Sequence, residues 1–102
     1  MRLIVMYDIK TNEEDNSKRY AKFLNFLNKS GYFRIQYSIY CKCINAHTMY
    51  NIEKAKIMQY IPVNSNVRVM LITENQYQDI ELLSGIISEE ENLQNQGRYI
   101  RI

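Results

Sequence analysis

The sequence predicts an α+β fold, an α/β sandwich that runs strand, helix, two strands, helix, strand, and then a strand-like tail. Three observations predict it. Residues 2–8 and 67–73 are apolar runs that barely alternate, the pattern of strands buried on both faces. Residues 13–30 and 48–60 carry apolar residues at helical spacing. Residues 32–44 read as extended and are long enough for two strands, or for one strand sharply bent at Gln36.

The first strand is Arg2-Leu3-Ile4-Val5-Met6-Tyr7-Asp8. In the first helix, Tyr20, Phe23, Leu24 and Leu27 fall at i, i+3, i+4 and i+7, which makes one apolar stripe. Lys18, Arg19, Lys22 and Lys29 lie mainly away from it, and Gly31 stands where a helix C-cap is expected. In the extended stretch, Tyr37, Ile39, Cys41 and Cys43 share one face, and Ser38, Tyr40 and Lys42 share the wetter one. In the second helix Met49, Ile52, Ala55 and Met58 recur at every third position, and the only proline, Pro62, marks the loop that follows. Residues 80–84 read as a short strand before Ser84-Gly85, and the acidic stretch from Ser88 to Gly97 reads as a loop. Arg98, Tyr99, Ile100, Arg101 and Ile102 alternate like an edge strand. The order βαββαβ is the ferredoxin-like arrangement, with both helices on one face of an antiparallel sheet. Residues 1–85 form that domain, and 86–102 add an acidic loop and a C-terminal edge strand to it.

Two helices cover only one face of a sheet, yet both central strands read as buried on both. A second copy is the simplest cover, so a homodimer packed sheet to sheet is expected. A chain of 102 residues buries only about 60–65% of its unfolded surface, so a partner surface would help it. No apolar run reaches the roughly 20 residues of a membrane helix, and no signal peptide is visible. Cys41 and Cys43 are one residue apart, which suggests no disulfide framework and points to a reducing cytoplasm. With them and the single histidine, His47, a four-ligand zinc site within one chain is not expected. His47 reads as a helix-entry residue before it reads as a general base. No glycine-rich phosphate loop stands among the three glycines.

The net charge of +2 is unevenly placed. Between Asn16 and Ile72 lie nine basic residues against Glu53 alone, whereas Thr73 to Gly97 holds six acids and no base. This pattern is either a cationic surface for phosphates or two solvated helix faces beside an acidic loop. Asp8 also has two readings. It sits where an apolar strand meets a polar loop, so it either caps the following turn or supplies the carboxylate of a site. If the first strands lie near a two-fold axis, two Asp8 carboxylates approach each other, and such a pair needs a cation or proton between them.

At this point the residues resemble a known family. Tyr7-Asp8-Ile9 closes the first strand, a basic amphipathic helix follows, and Gly31 leads into Arg34-Ile35-Gln36-Tyr37-Ser38-Ile39-Tyr40. An aspartate at the end of a first strand, then a helix, a glycine and an R-x-Q-x-S-[VI]-[FY] strand resembles the small CRISPR-associated Cas-two family, and the opening and length look most like its type II-A branch. The resemblance covers nearly the whole chain. It departs at Cys41-Lys42-Cys43, where many relatives have an acidic-glycine stretch, and at Glu13-Glu14-Asp15, acids that would repel a phosphate unless they point outward.

The resemblance implies a ferredoxin-like homodimer with Asp8 as the catalytic residue and Mg²⁺ ligand, the ion lying between the two Asp8 of the dimer. It implies a CRISPR adaptation subunit that bridges dimers of the integrase subunit (Cas-one) and binds double-stranded foreign DNA for spacer acquisition. It also implies a metal-dependent phosphodiesterase, an endonuclease on RNA or DNA, as the alternative main role. Lys18, Arg19, Lys22, Arg34 and Lys42 are the expected nucleic-acid contacts. Arg98, Tyr99, Ile100, Arg101 and Ile102 are the expected partner contact, through strand addition. A small-molecule-sensing ferredoxin-like domain is a third reading, which would need a pocket at a dimer interface.

Overall fold

Eight elements follow one another in the computed structural model, which describes residues 1–10 and 14–100. They are β1 (Arg2–Ile9), α1 (Glu14–Lys29), β2 (Phe33–Gln36), β3 (Ile39–Cys43), α2 (Thr48–Met58), β4 (Ser65–Ile72), α3 (Glu74–Gln78) and α4 (Glu89–Ile100). The strands form one sheet in the order β2-β3-β1-β4, and every neighbouring pair is antiparallel. This is the predicted βαββαβ arrangement. The stretch read as one or two strands is two, with a register shift between Arg34 and Gln36.

The first face of the sheet lies under α1 and α2. Leu3, Val5 and Tyr7 of β1 and Tyr40 of β3 meet Phe23 and Leu27 of α1 and Ile57 of α2. Helix α1 ends as expected. Gly31 has φ 90°, and the Tyr32 N–H donates to the Leu27 carbonyl at 3.0 Å, a Schellman closure. In α2 the buried residues are Glu53 and Ile57, so the stripe read from the sequence at every third position turns outward, with Ile52, Ala55 and Met58 exposed. The buried stripe was hidden because it contains a charge. Glu53 accepts from Lys42 Nζ at 2.5 Å and from the Tyr32 hydroxyl at 3.2 Å, which makes its burial tolerable.

Beyond β4 the structure departs from expectation. Thr73 starts α3 with a capping box: its hydroxyl takes the Gln76 N–H and the Gln76 side chain takes its N–H. Residues 80–84, read as a strand, are unpaired coil. The acidic stretch read as a loop is mostly α4, and residues 98–100, read as an edge strand, continue that helix. Arg101 and Ile102 lie outside the described residues. The physical reason is at the start of α4. Ser88 Oγ accepts the Glu91 N–H at 3.1 Å, and Glu89, Glu90 and Glu91 fill the first turn, where the helix dipole favours acids. A short alternation does not outweigh so strong a start.

These extra helices also revise the argument for a second copy, because the chain supplies part of its own cover. Ile4, Phe33 and Cys41 on the second face pack with Tyr77 of α3. Arg2 is fully buried among them. Its guanidinium lies 3.8 Å from the Tyr77 ring centroid and forks onto Glu74 with contacts of 2.8 and 2.9 Å. It also reaches Asn95 of α4 at 3.1 Å. The far end of this face stays open, where Asn66, Arg68 and Met70 of β4 are exposed.

Arg2→Ala is expected to cost about 3 kcal/mol, the low end for breaking a buried ion pair because Glu74 keeps some solvent. Urea unfolding measures this, with Arg2→Lys failing to restore the midpoint since an ammonium neither forks nor stacks as a guanidinium does. An unchanged midpoint would remove Arg2 as the anchor of α3 and α4.

Candidate metal centre and nucleic-acid surface

Strand alternation decides where Asp8 points. Positions 2, 4, 6 and 8 of β1 share the second face, so Asp8 stands at its open end while Tyr7 turns into the helix-covered core. Asp8 is exposed. In the register of β1 with β4, Asp8 faces Asn66 and Met6 faces Arg68. Met6, Tyr7, Asp8, Asn66 and Arg68 line a shallow, open depression of about 210 Å³. Among the described residues, Asp8 and Arg68 stand in no ion pair. The donor set is one carboxylate and one amide, and no cluster of three or more His, Cys, Asp or Glu forms among the described residues. Such a set suits Mg²⁺, which takes one or two carboxylates and fills its octahedron with water and phosphate oxygens.

The basic residues named from the sequence do not join this site. Lys18, Arg19 and Lys22 are exposed on α1, which packs on the first face, across the sheet from the Asp8 carboxylate. Arg34 pairs with Tyr40 in the register of β2 with β3 and so also faces the helices. Its guanidinium lies 5.2 Å from the Tyr40 ring centroid and 5.7 Å from that of Tyr37. The neighbouring Tyr7 hydroxyl is held above the ordinary phenol value, first by burial and then by Tyr20, whose hydroxyl is 3.4 Å away. Lys42 is spent on Glu53. Arg98, Tyr99 and Ile100 fall in the last turn of α4.

Residues 1–80 match the family described as CRISPR associated protein Cas2. A CRISPR-associated endoribonuclease Cas2 of Campylobacter jejuni is 33% identical over 94% of this chain and 67% of its own length. One from Ligilactobacillus salivarius is 34% identical over 83% of this chain and 84% of its own. The chain belongs to the Cas2 family. A crystal structure of Streptococcus pyogenes Cas2 superposes with a TM-score of 0.63 at 24% identity, covering 82% of this chain and all of that one, so the fold is shared as well.

Within this Cas2 fold, sequence reasoning missed Asn66 and Arg68. The signal was present: Asn66, Arg68 and Met70 alternate along β4, and the antiparallel pairing of β4 with β1 places them on the Asp8 face. Cys41 and Cys43 serve elsewhere. Cys41 is fully buried on the second face, and burial pushes its thiol up to about 12, against a weaker opposing pull from Arg2. Cys43 is half-exposed. Alkylation at pH 8 should therefore label Cys43 on the native protein and Cys41 only after denaturation. Peptide mass spectrometry reads this directly, and equal labelling of both in the native state would contradict the packing.

Proposed function

We propose that this protein is a nucleic-acid-binding subunit of a CRISPR system that hydrolyses phosphodiesters with Mg²⁺ held by Asp8. The observation that carries the proposal is the exposed Asp8 carboxylate at the open end of the second sheet face. The curated relatives named endoribonuclease support it. Bound Mg²⁺ supplies positive charge at a phosphate oxygen and lowers the pKa of an attacking water. Asp8 would hold such an ion through its carboxylate, and water and phosphate oxygens suit the rest of a Mg²⁺ shell. Asn66, directly across the strand pair, offers an amide that can hydrogen-bond a water or a phosphate oxygen.

A homodimer fits this reading. Two copies joined through the open ends of their second faces would bury Met70 and bring the two Asp8 carboxylates toward each other, where a cation relieves their repulsion. RNA and double-stranded DNA are both proposed substrates, because neither Asp8 nor Mg²⁺ reads a sugar.

Exposed Lys18, Arg19 and Lys22 favour a second role for the same molecule, a scaffold that grips duplex phosphates while bridging integrase (Cas-one) dimers during spacer acquisition. Arg34 would join those contacts if its guanidinium left the tyrosines. The C-terminal residues Arg98–Ile102 are the proposed integrase contact, presented from a helix at least as far as Ile100.

Asp8→Asn should abolish Mg²⁺-dependent cleavage of labelled RNA and DNA while circular dichroism and unfolding midpoint stay as in the parent protein. EDTA should silence the parent protein and added Mg²⁺ should restore it. Cleavage that survives both treatments would end the Asp8 reading. Sedimentation at micromolar concentration should show a two-chain species, and a persistent single chain would remove the shared ion.

A further inference from the structure

Arg68 lies within the Asp8 depression, yet nothing in the proposed hydrolysis uses it. We propose that Arg68 binds the scissile phosphate, holding the non-bridging oxygens of the phosphodiester while Asp8 anchors the cation. This rests on the Asp8 reading above. The register places Arg68 opposite Met6 and Asp8 opposite Asn66, so Asp8 and Arg68 are diagonal neighbours on one face. Diagonal neighbours in an antiparallel pair stand roughly 7–8 Å apart. That gap is too wide for the backbone to force an ion pair, and none joins them. It is wide enough for a group carrying negative charge on one side and meeting a cation on the other. A phosphate between a carboxylate-held cation and a guanidinium satisfies both.

The charge balance also favours such a residue. Asp8 alone repels a phosphodiester. A divalent cation would offset that repulsion, and a guanidinium on the same face would add positive charge where negative charge develops on the phosphate oxygens. A guanidinium offers five N–H donors in a planar fork matched to two oxygens. Arg68 is exposed, so it is free to turn onto a ligand. Met6 sits half-buried across from it and gives its methylenes an apolar floor. The other cations named for nucleic-acid contact are across the sheet or, like Lys42, already paired.

The test uses the full chain with Arg68→Gln, Arg68→Lys and Asp8→Asn. Mn²⁺ binding by titration calorimetry, oligonucleotide affinity in EDTA at several salt concentrations, and kcat and KM in Mg²⁺ are measured for each. Arg68→Gln should bind Mn²⁺ like the parent protein and lose about tenfold in oligonucleotide affinity, as a charged hydrogen-bonded contact commonly contributes. Its slope of log affinity against log salt should shrink by about 0.7–0.9, one phosphate's worth. Arg68→Lys should keep the slope and lose part of kcat. An unchanged slope and affinity in Arg68→Gln would overturn the proposal, and so would loss of Mn²⁺ binding, which would make Arg68 a support for Asp8. If Asp8→Asn still cleaves while Arg68→Gln shows the smaller slope, the metal reading fails and the phosphate contact stands.

Discussion

The pleat of β1 is the constraint on which the rest of the structure depends. β1 is paired on both sides, over five positions with β3 and eight with β4, so every odd residue is committed to one face and every even residue to the other. Leu3, Val5 and Tyr7 form the floor of the helix-covered core. Arg2, Ile4, Met6 and Asp8 define the second face. A slip of one residue would exchange the two sets, burying Asp8 under the helices and expelling Leu3 and Val5 into water. The aspartate therefore stays outside because three apolar side chains are held inside.

The same face treats its two charges in opposite ways. Arg2 and Asp8 stand about 20 Å apart along the strand. At one end the guanidinium is taken fully out of water, and the structure answers each of its needs with a forked carboxylate, an amide and two aromatic faces. At the other end the carboxylate is left wet. Glu53 repeats the first solution on the opposite face, with Lys42 and Tyr32 as its partners. Arg2 and Glu53 are buried with partners at hydrogen-bond distance, whereas Asp8, the proposed metal ligand, stays exposed.

The βαββαβ core was legible because its signals are local and strong. The Tyr20-Phe23-Leu24-Leu27 stripe, the glycine after α1 and the two apolar runs each have a single reasonable reading, and Asp8 was visible as the acid that ends one of those runs. What escaped was decided by tertiary partners. Nothing near Glu53 in sequence announces its partners Lys42 and Tyr32. The partners that hold Arg2 lie 72 and 93 positions away, beyond the reach of any local pattern. Arg98-Tyr99-Ile100 alternates, but the choice of helix was made ten residues earlier at Ser88. The Ser-x-x-Glu signature stands there, in a stretch acidic enough to fit a loop as well. Arg68 was counted as one cation among nine because its place beside Asp8 follows from the β1–β4 register, which no single strand reveals.

The coil from Ile80 to Ile87 has a consequence for assembly. Ile80, Leu82, Leu83, Ile86 and Ile87 are all exposed there on backbone that pairs with no strand. Large aliphatic side chains gathered in the open on one short segment favour burial against another surface. If that segment meets its own counterpart across a two-fold axis, the contact is used up once and the particle is finite. If it meets a different surface, each copy offers a fresh one and growth has no natural end. A contact made through these five side chains would thus be finite or open-ended according to the surface they meet.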